Sequence, residues 1–215
     1  MRQGFDAFRE LFARATSARA AAAPWEHPNL LAAAGYREFA VEFAGTTFGD
    51  GLYRVHDATS GPSALEYLQT AFPDLAPRLT PFAFDWLGTQ FALDTGRVHE
   101  GQPQVMMLEP GTGQALEVPV SFESFHSETI PLSPDAALGL GFFEQWASSD
   151  PEGLPLAFTD CVGYRIPLFL GGGDSLANLE KTDIDVYWTI AAELIRAVRE
   201  LPEGAPFAGV RIDDP

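Results

Sequence analysis

The chain has 215 residues, 46% apolar and 12% aromatic with 17 Phe and 4 Trp, enough to bury a core without disulfides or metal and too hydrophobic for a disordered segment. Thirteen Lys and Arg stand against 30 Asp and Glu, a net charge of −17, which excludes a nucleic-acid binder acting through its own charge, because neutralising phosphates needs a basic face. A basic partner is the electrostatic match.

Cys161 is the single cysteine, so it forms no internal disulfide and supplies no thiolate-rich metal site, a usage that suits a reducing cytoplasm. The N-terminus carries no apolar signal core, and the alanine run 20–23 is too short to cross a membrane. The first 40 residues hold five Arg and four acids, so the negative charge belongs to the body of the chain.

In chain order, Phe5, Phe8, Phe12 and Ala15 fall at helical spacing and predict an amphipathic helix within 4–20. Pro24 and Pro28 break it, and Asn29-Leu30-Leu31 opens a short helix ending near Gly35. Residues 36–43 read as another helical turn or two, closed by the glycine-rich turn 44–51. Residues 52–56 read as a strand, and Ser63 is placed to cap a helix over 64–72. After a proline-rich link over 73–81 the pattern becomes period two. Residues 82–94 predict a hairpin turning at Leu87-Gly88, and 104–109 with 115–118 a second one around Pro110-Gly111-Thr112-Gly113.

Ser121 is placed to cap a helix over 122–130, and 138–147 reads as another carrying Phe142, Phe143 and Trp146. Residues 161–170 read as an irregular or edge strand because of Pro167, ended by Gly171-Gly172-Gly173. Asp174 or Ser175 is expected to cap a last helix in which Ile184, Trp188, Ala191, Ile195 and Val198 recur before Pro202 stops it. The expected fold class is α+β: one domain over 1–215, mainly antiparallel sheet packed by helices, with a helical part over 1–75 and a sheet plus C-terminal helix over 80–200.

The chemistry-bearing residues point to no active site. The run 170–175 lacks both the Gly-Lys-Ser/Thr of a P-loop and the spacing of a dinucleotide site, and reads as a structural turn. Cys161 with His126 would make a thiol nucleophile and base, the pairing of a small hydrolase, but the cysteine opens an apolar strand where thiols are inert. The four histidines show no i, i+4 pair for zinc. Asp183 and Asp185, two apart, diverge on a helix and read as solvated surface. Trp86, Phe142, Phe143, Trp146, Tyr187 and Trp188 read as core before they read as a ligand pocket. No catalytic, cofactor-binding or metal-binding residue is expected, and a binding protein is favoured over an enzyme.

Two stretches carry a family resemblance. Tyr36-Arg37-Glu38-Phe39 followed by residues 45–56 resembles the N-terminal signature of SUKH-type and GAD-like domains. Residues 86–94, 107–118, 121–125 and 163–181, the last containing Gly171-Gly172-Gly173 and Asn178, resemble the C-terminal domain of type VI secretion DNase immunity proteins. Order and spacing agree over about 36–195, with 126–160 a departure. The resemblance implies a cytoplasmic antidote that binds a cognate secreted toxin, a basic nuclease, and blocks it without catalysis, touching neither nucleic acid nor membrane. The alternative is a protein- or peptide-binding module of the same superfamily in other use. Charge and expected exposure nominate the contact residues: Asp85, Asp94, Glu109, Glu117 and Glu123 around the hairpins, and Glu180, Asp183 and Asp185 at the last helix.

Overall fold

The computed structural model describes residues 4–13, 16–20 and 22–200. The expectations that involve the first three residues, Ala15, Ala21 and the stop at Pro202 lie outside the described residues. Helices, in chain order, are α1 (Asp6–Leu11), α2 (Pro28–Leu31), α3 (Tyr36–Phe43), α4 (Ser60–Ala71), α5 (Phe122–Ser124), a π-helical segment (Phe125–Thr129), α6 (Ile130–Leu132), α7 (Pro134–Leu138), α8 (Leu140–Ser149) and α9 (Ile184–Arg199). Strands are β1 (Ser17–Ala18), β2 (Thr46–Phe48), β3 (Tyr53–Val55), β4 (Leu79–Asp85), β5 (Gln90–His99), β6 (Gln102–Glu109), β7 (Gln114–Ser121), β8 (Asp160–Tyr164) and β9 (Leu179–Asp183). Strands β1 to β7 form one sheet in sequence order, every neighbouring pair antiparallel. Strands β8 and β9 form a separate antiparallel ribbon. This is the α+β class expected of the sequence.

Side-chain parity assigns the two faces of the sheet to two cores. On β5, Phe91 and Leu93 join a cluster with Trp86 of the β4–β5 turn and with Phe8, Phe39, Phe122 and Phe125, contributed by the helices before β2 and after β7. On the same strand Ala92 points the other way, to Phe84, Met106, Leu68, Phe72 and Trp188, beneath α4 and α9. The central sheet is therefore covered on both sides, and every residue of β4 is buried.

Local capping sets the ends of the elements. The Ser121 hydroxyl accepts from the Ser124 N–H, as its sequence position predicts, and opens a helical stretch that continues to 132. Asp57, not Ser63, organises the start of α4: its carboxylate accepts from the backbone N–H groups of Thr59 and Ser60, and the helix begins four residues earlier than expected. Asp183, not Asp174 or Ser175, caps α9, because a strand the sequence hides, β9, intervenes between the glycine run and the helix. Strand β4 starts inside the stretch read as a proline-rich link, and β5 runs to His99. The opening helix covers only 6–11, after which Ser17–Ala18 joins the sheet. Pro28 starts α2 rather than breaking a helix, having no N–H to lose at a first-turn position. Of the stretch 161–170 only 161–164 is strand, within β8.

The structure places the two residues of the alternative hydrolase reading, Cys161 and His126, in different surroundings. His126 lies 0% exposed among the rings of Phe5, Phe39, Phe82, Phe122 and Phe125. Its ring nitrogens are engaged by the Tyr53 hydroxyl at 2.8 Å and the Phe122 carbonyl at 2.9 Å, so neither is left to activate a thiol. Cys161 is fully buried in the opposite core, where burial pushes its thiol up, away from the thiolate a nucleophile needs. The hydrolase pairing is not formed.

Candidate protein-docking face

Strands β8 and β9, helix α9 and the loop between the strands build one face of the molecule. The ribbon and α9 are each fastened to the β4–β5 hairpin: Val162 N–H donates to the Trp86 carbonyl at 2.7 Å, and the Trp188 indole N–H donates to the Gly88 carbonyl at 2.7 Å. Gly163 lets the Tyr187 ring lie flat on the ribbon, since a Cβ there would stand 2.7 Å from that ring. The Tyr187 hydroxyl accepts from the Tyr164 N–H at 3.2 Å.

The loop after β8 is held by side-chain clamps rather than by regular pairing. Asn178 accepts from Ile166 N–H at 3.0 Å and donates to the carbonyls of Ile166 at 2.8 Å and Gly173 at 2.9 Å. Gly172 passes so close to the Ile166 carbonyl that a Cβ would be 1.9 Å from that oxygen, which explains a residue with no side chain there. Leu168 N–H donates to the Gly111 carbonyl at 2.8 Å, tying the loop to the β6–β7 turn. Replacing Asn178 with Ala is expected to cost about 1–2 kcal/mol, read as a lower urea midpoint.

This clamped loop leaves apolar side chains in solvent. Ile166 is 55% exposed, Val186 53% and Ile190 45%. Val186, Ile190 and Leu194 stand four residues apart on α9 and, with Pro167, line a groove of about 150 Å³ rimmed by Glu180 and Arg165. Beyond Tyr164 a second hollow of about 280 Å³ is bordered by Glu109, Thr112 and Asp174. The Tyr164 hydroxyl between them donates to Asp174 at 2.7 Å. Exposed apolar side chains with a few charged groups beside them, on a backbone already fixed by hydrogen bonds, make this a candidate docking face.

The nominated contact residues divide. Glu109 and Glu180 stand on this face; Glu109 accepts from the Thr112 hydroxyl at 2.7 Å, and Glu180 pairs with Arg165 at 3.4 Å. Asp183 is spent on capping α9, and Asp185 accepts the Tyr67 hydroxyl, so both are exposed but already bonded. Glu117, on the edge strand β7, pairs with Arg97 at 3.2 Å, and Glu123 lies on α5 near Gly35; neither lines the groove. Asp85 and Asp94 are corrected: at 3% and 0% exposure they reach no partner. The Asp85 carboxylate accepts the N–H groups of Leu87 and Thr89, each at 2.9 Å, shaping the hairpin turn. Asp94 pairs with Arg78 at 3.1 Å and accepts from Gly96. The sequence reading passed over Ile166, Val186 and Ile190, although the i, i+4, i+8 stripe of Val186, Ile190 and Leu194 is a second apolar face on the last helix, distinct from the Ile184–Trp188–Ile195 stripe.

Among the described residues no cluster of three or more His, Cys, Asp or Glu side chains could hold a metal ion, and no helix is long and apolar enough to cross a membrane. No curated protein matches the chain. A solved structure, described as the crystal structure of Atu4351 from Agrobacterium tumefaciens, superposes with a TM-score of 0.59 at 13% identity over 88% of each chain, a likeness of fold. Residues 151–195 match the model of the family described as T6SS immunity protein Tdi1, C-terminal, and those are the residues that run through β8, the clamped loop and β9 into α9.

Proposed function

We propose that this protein is a type VI secretion immunity protein, which neutralises a cognate toxin by binding it and does no chemistry of its own. The observation that carries the reading is that the matched segment 151–195 builds the face with exposed Ile166, Val186 and Ile190. The net charge of −17 adds the partner's character. A nuclease presents a cationic groove to its substrate, and an anionic protein is steered to such a groove and held by complementary charge. The partner in this reading is a basic, nuclease-like toxin, met in the cytoplasm.

Co-expression with the product of each neighbouring gene tests this, scored by rescue of growth and by co-purification. Rescue with a stable complex supports the reading. A complex without rescue moves the protein to a binding module in another use, and neither result from any neighbour removes the immunity reading. The complex is expected to weaken roughly threefold or more between 50 and 300 mM salt, chiefly through a slower association rate. Affinity that does not change with salt would count against an electrostatically guided partner.

A further inference from the structure

The two outer edges of the β8–β9 ribbon differ. Arg165 N–H donates to the Asn178 carbonyl and Ile184 N–H to the Thr159 carbonyl, each at 2.8 Å, one bond at either end of the ribbon. Backbone groups alternate along an antiparallel pair, and with Asp160 opposite Asp183 and Tyr164 opposite Leu179, Glu180 and Thr182 turn theirs toward β8 while Leu179 and Lys181 turn theirs outward. On β8 the same alternation turns Val162 outward, and its N–H is taken by the Trp86 carbonyl of the hairpin. On β9 nothing corresponds. Among the described residues β8 is its one neighbour, and the Lys181 N–H and the Leu179 and Lys181 carbonyls have no further partner. Glu180, Lys181 and Asp183 are exposed, so this edge lies at the surface.

An open strand edge is a template for another strand, and native edges are commonly guarded by a lysine. Lys181 does not serve that way: its ammonium lies 3.0 Å from Asp160 and donates to the Gly153 carbonyl at 3.2 Å. The α9 groove opens on the same strand. Gly163 stands opposite Glu180 and carries the Tyr187 ring, so α9 covers the face of the ribbon to which Glu180 and Thr182 belong. Those two residues border the groove on one side, and Val186 and Ile190, left about half exposed, border it on the other. A strand added to β9 would present every second side chain to this groove. We propose that the edge of β9 takes up an extended segment of a basic partner as a third strand, with aliphatic side chains at alternate positions in the α9 groove; the inference rests on the immunity reading, in which that partner is the toxin. Charge selects the occupant, because a second copy would bring −17 against −17 whereas a basic protein is attracted. In such an addition main-chain hydrogen bonds supply affinity and the groove supplies selectivity.

The test uses the full chain and the neighbouring gene product that co-purifies with it. Amide exchange followed by NMR is expected to slow about tenfold or more at Lys181 on complex formation. Lys181→Pro removes the outward N–H at an edge position, where proline is tolerated, and Lys181→Gln removes the same ammonium but keeps the N–H. The proline variant is expected to raise the Kd about tenfold or more and the glutamine variant less than about threefold, with unchanged circular dichroism. The exchange measurement on the unaltered chain decides even where the proline variant does not fold. A complex in which Lys181 exchanges as fast as in the free chain, or two folded variants that bind alike, overturns the strand addition and leaves the immunity reading standing. Protection of Lys181 in the free chain that grows with its concentration overturns it in favour of a second copy. No complex with any neighbour removes both readings.

Discussion

Lowering the pH from 7 to 5 is expected to destabilise the fold by roughly 1.5 kcal/mol through three buried groups. Burial holds the His126 imidazole down at about 3 and that of His56 at about 4, against 6.5 for a free histidine. Between those values the unfolded chain binds a proton that the folded chain refuses, so each histidine contributes stability above pH 6.5 that is lost as pH falls, about 1.4 kcal/mol per unit. Asp85 acts in the opposite sense. Burial raises its carboxyl from 3.8 to about 7, so the folded state takes up the proton first and this group gains stability as pH falls through 7. Two histidines outweigh one carboxyl. The measurement is the urea midpoint at pH 5, 6 and 7 for the protein and for His126→Gln, whose amide can still meet the Tyr53 hydroxyl. The variant loses packing among the phenylalanine rings at every pH, but its stability relative to the native chain should improve by about 2 kcal/mol between pH 7 and 5. Parallel profiles would mean that His126 is not held neutral.

The same buried groups explain which parts of the fold were legible in the sequence. Both hairpins were, because period-two patterning on either side of Leu87-Gly88 and of Pro110-Gly111-Thr112-Gly113 leaves the chain few other ways to turn. Strand β9 was not: Leu179-Glu180-Lys181-Thr182-Asp183 buries one residue of five and is a strand because β8 pairs with it. Strand β2, buried throughout, was masked by the glycines on either side of it. Asp85 and Asp94 were nominated on charge, under the general rule that charged side chains are exposed. The rule fails when helices cover both faces of a sheet, as they do here, and a carboxylate then survives only if backbone N–H groups or an arginine meet it. Nothing local in the sequence shows that α4 and α9 close over the second face, since that depends on contacts between segments more than a hundred residues apart.

The candidate face had a similar split. Its acids were visible as charges: Glu109 was nominated at the hairpin turn and Glu180 at the last helix. Its apolar part was not extracted, because Val186 and Ile190 sit among core residues of the same helix and only their phase, one residue pair off the buried stripe, sets them apart.

If the α9 groove receives the toxin, the energy of the complex should sit in its apolar centre rather than in the surrounding carboxylates, since rim charges chiefly govern association and desolvated anchors govern dissociation. Ile190 is the residue to change: 45% exposed, it stands between Val186 and Leu194 while its neighbours Trp188 and Ala191 carry the core contacts. Ile190→Arg is expected to shift folding stability by less than about 0.5 kcal/mol. It places a cation where a basic partner must seat, and removes the aliphatic contact, so the Kd should rise about 100-fold, close to 2.7 kcal/mol, mostly as faster dissociation. Glu117→Arg and Glu123→Arg alter net charge equally or more but lie away from the groove, and each should change the Kd less than about threefold in physiological salt. Surface-plasmon measurements on the three variants decide between a local docking site and a diffuse electrostatic one. A large effect from Glu117→Arg or Glu123→Arg together with a small one from Ile190→Arg would place the toxin elsewhere on the acidic body of the protein.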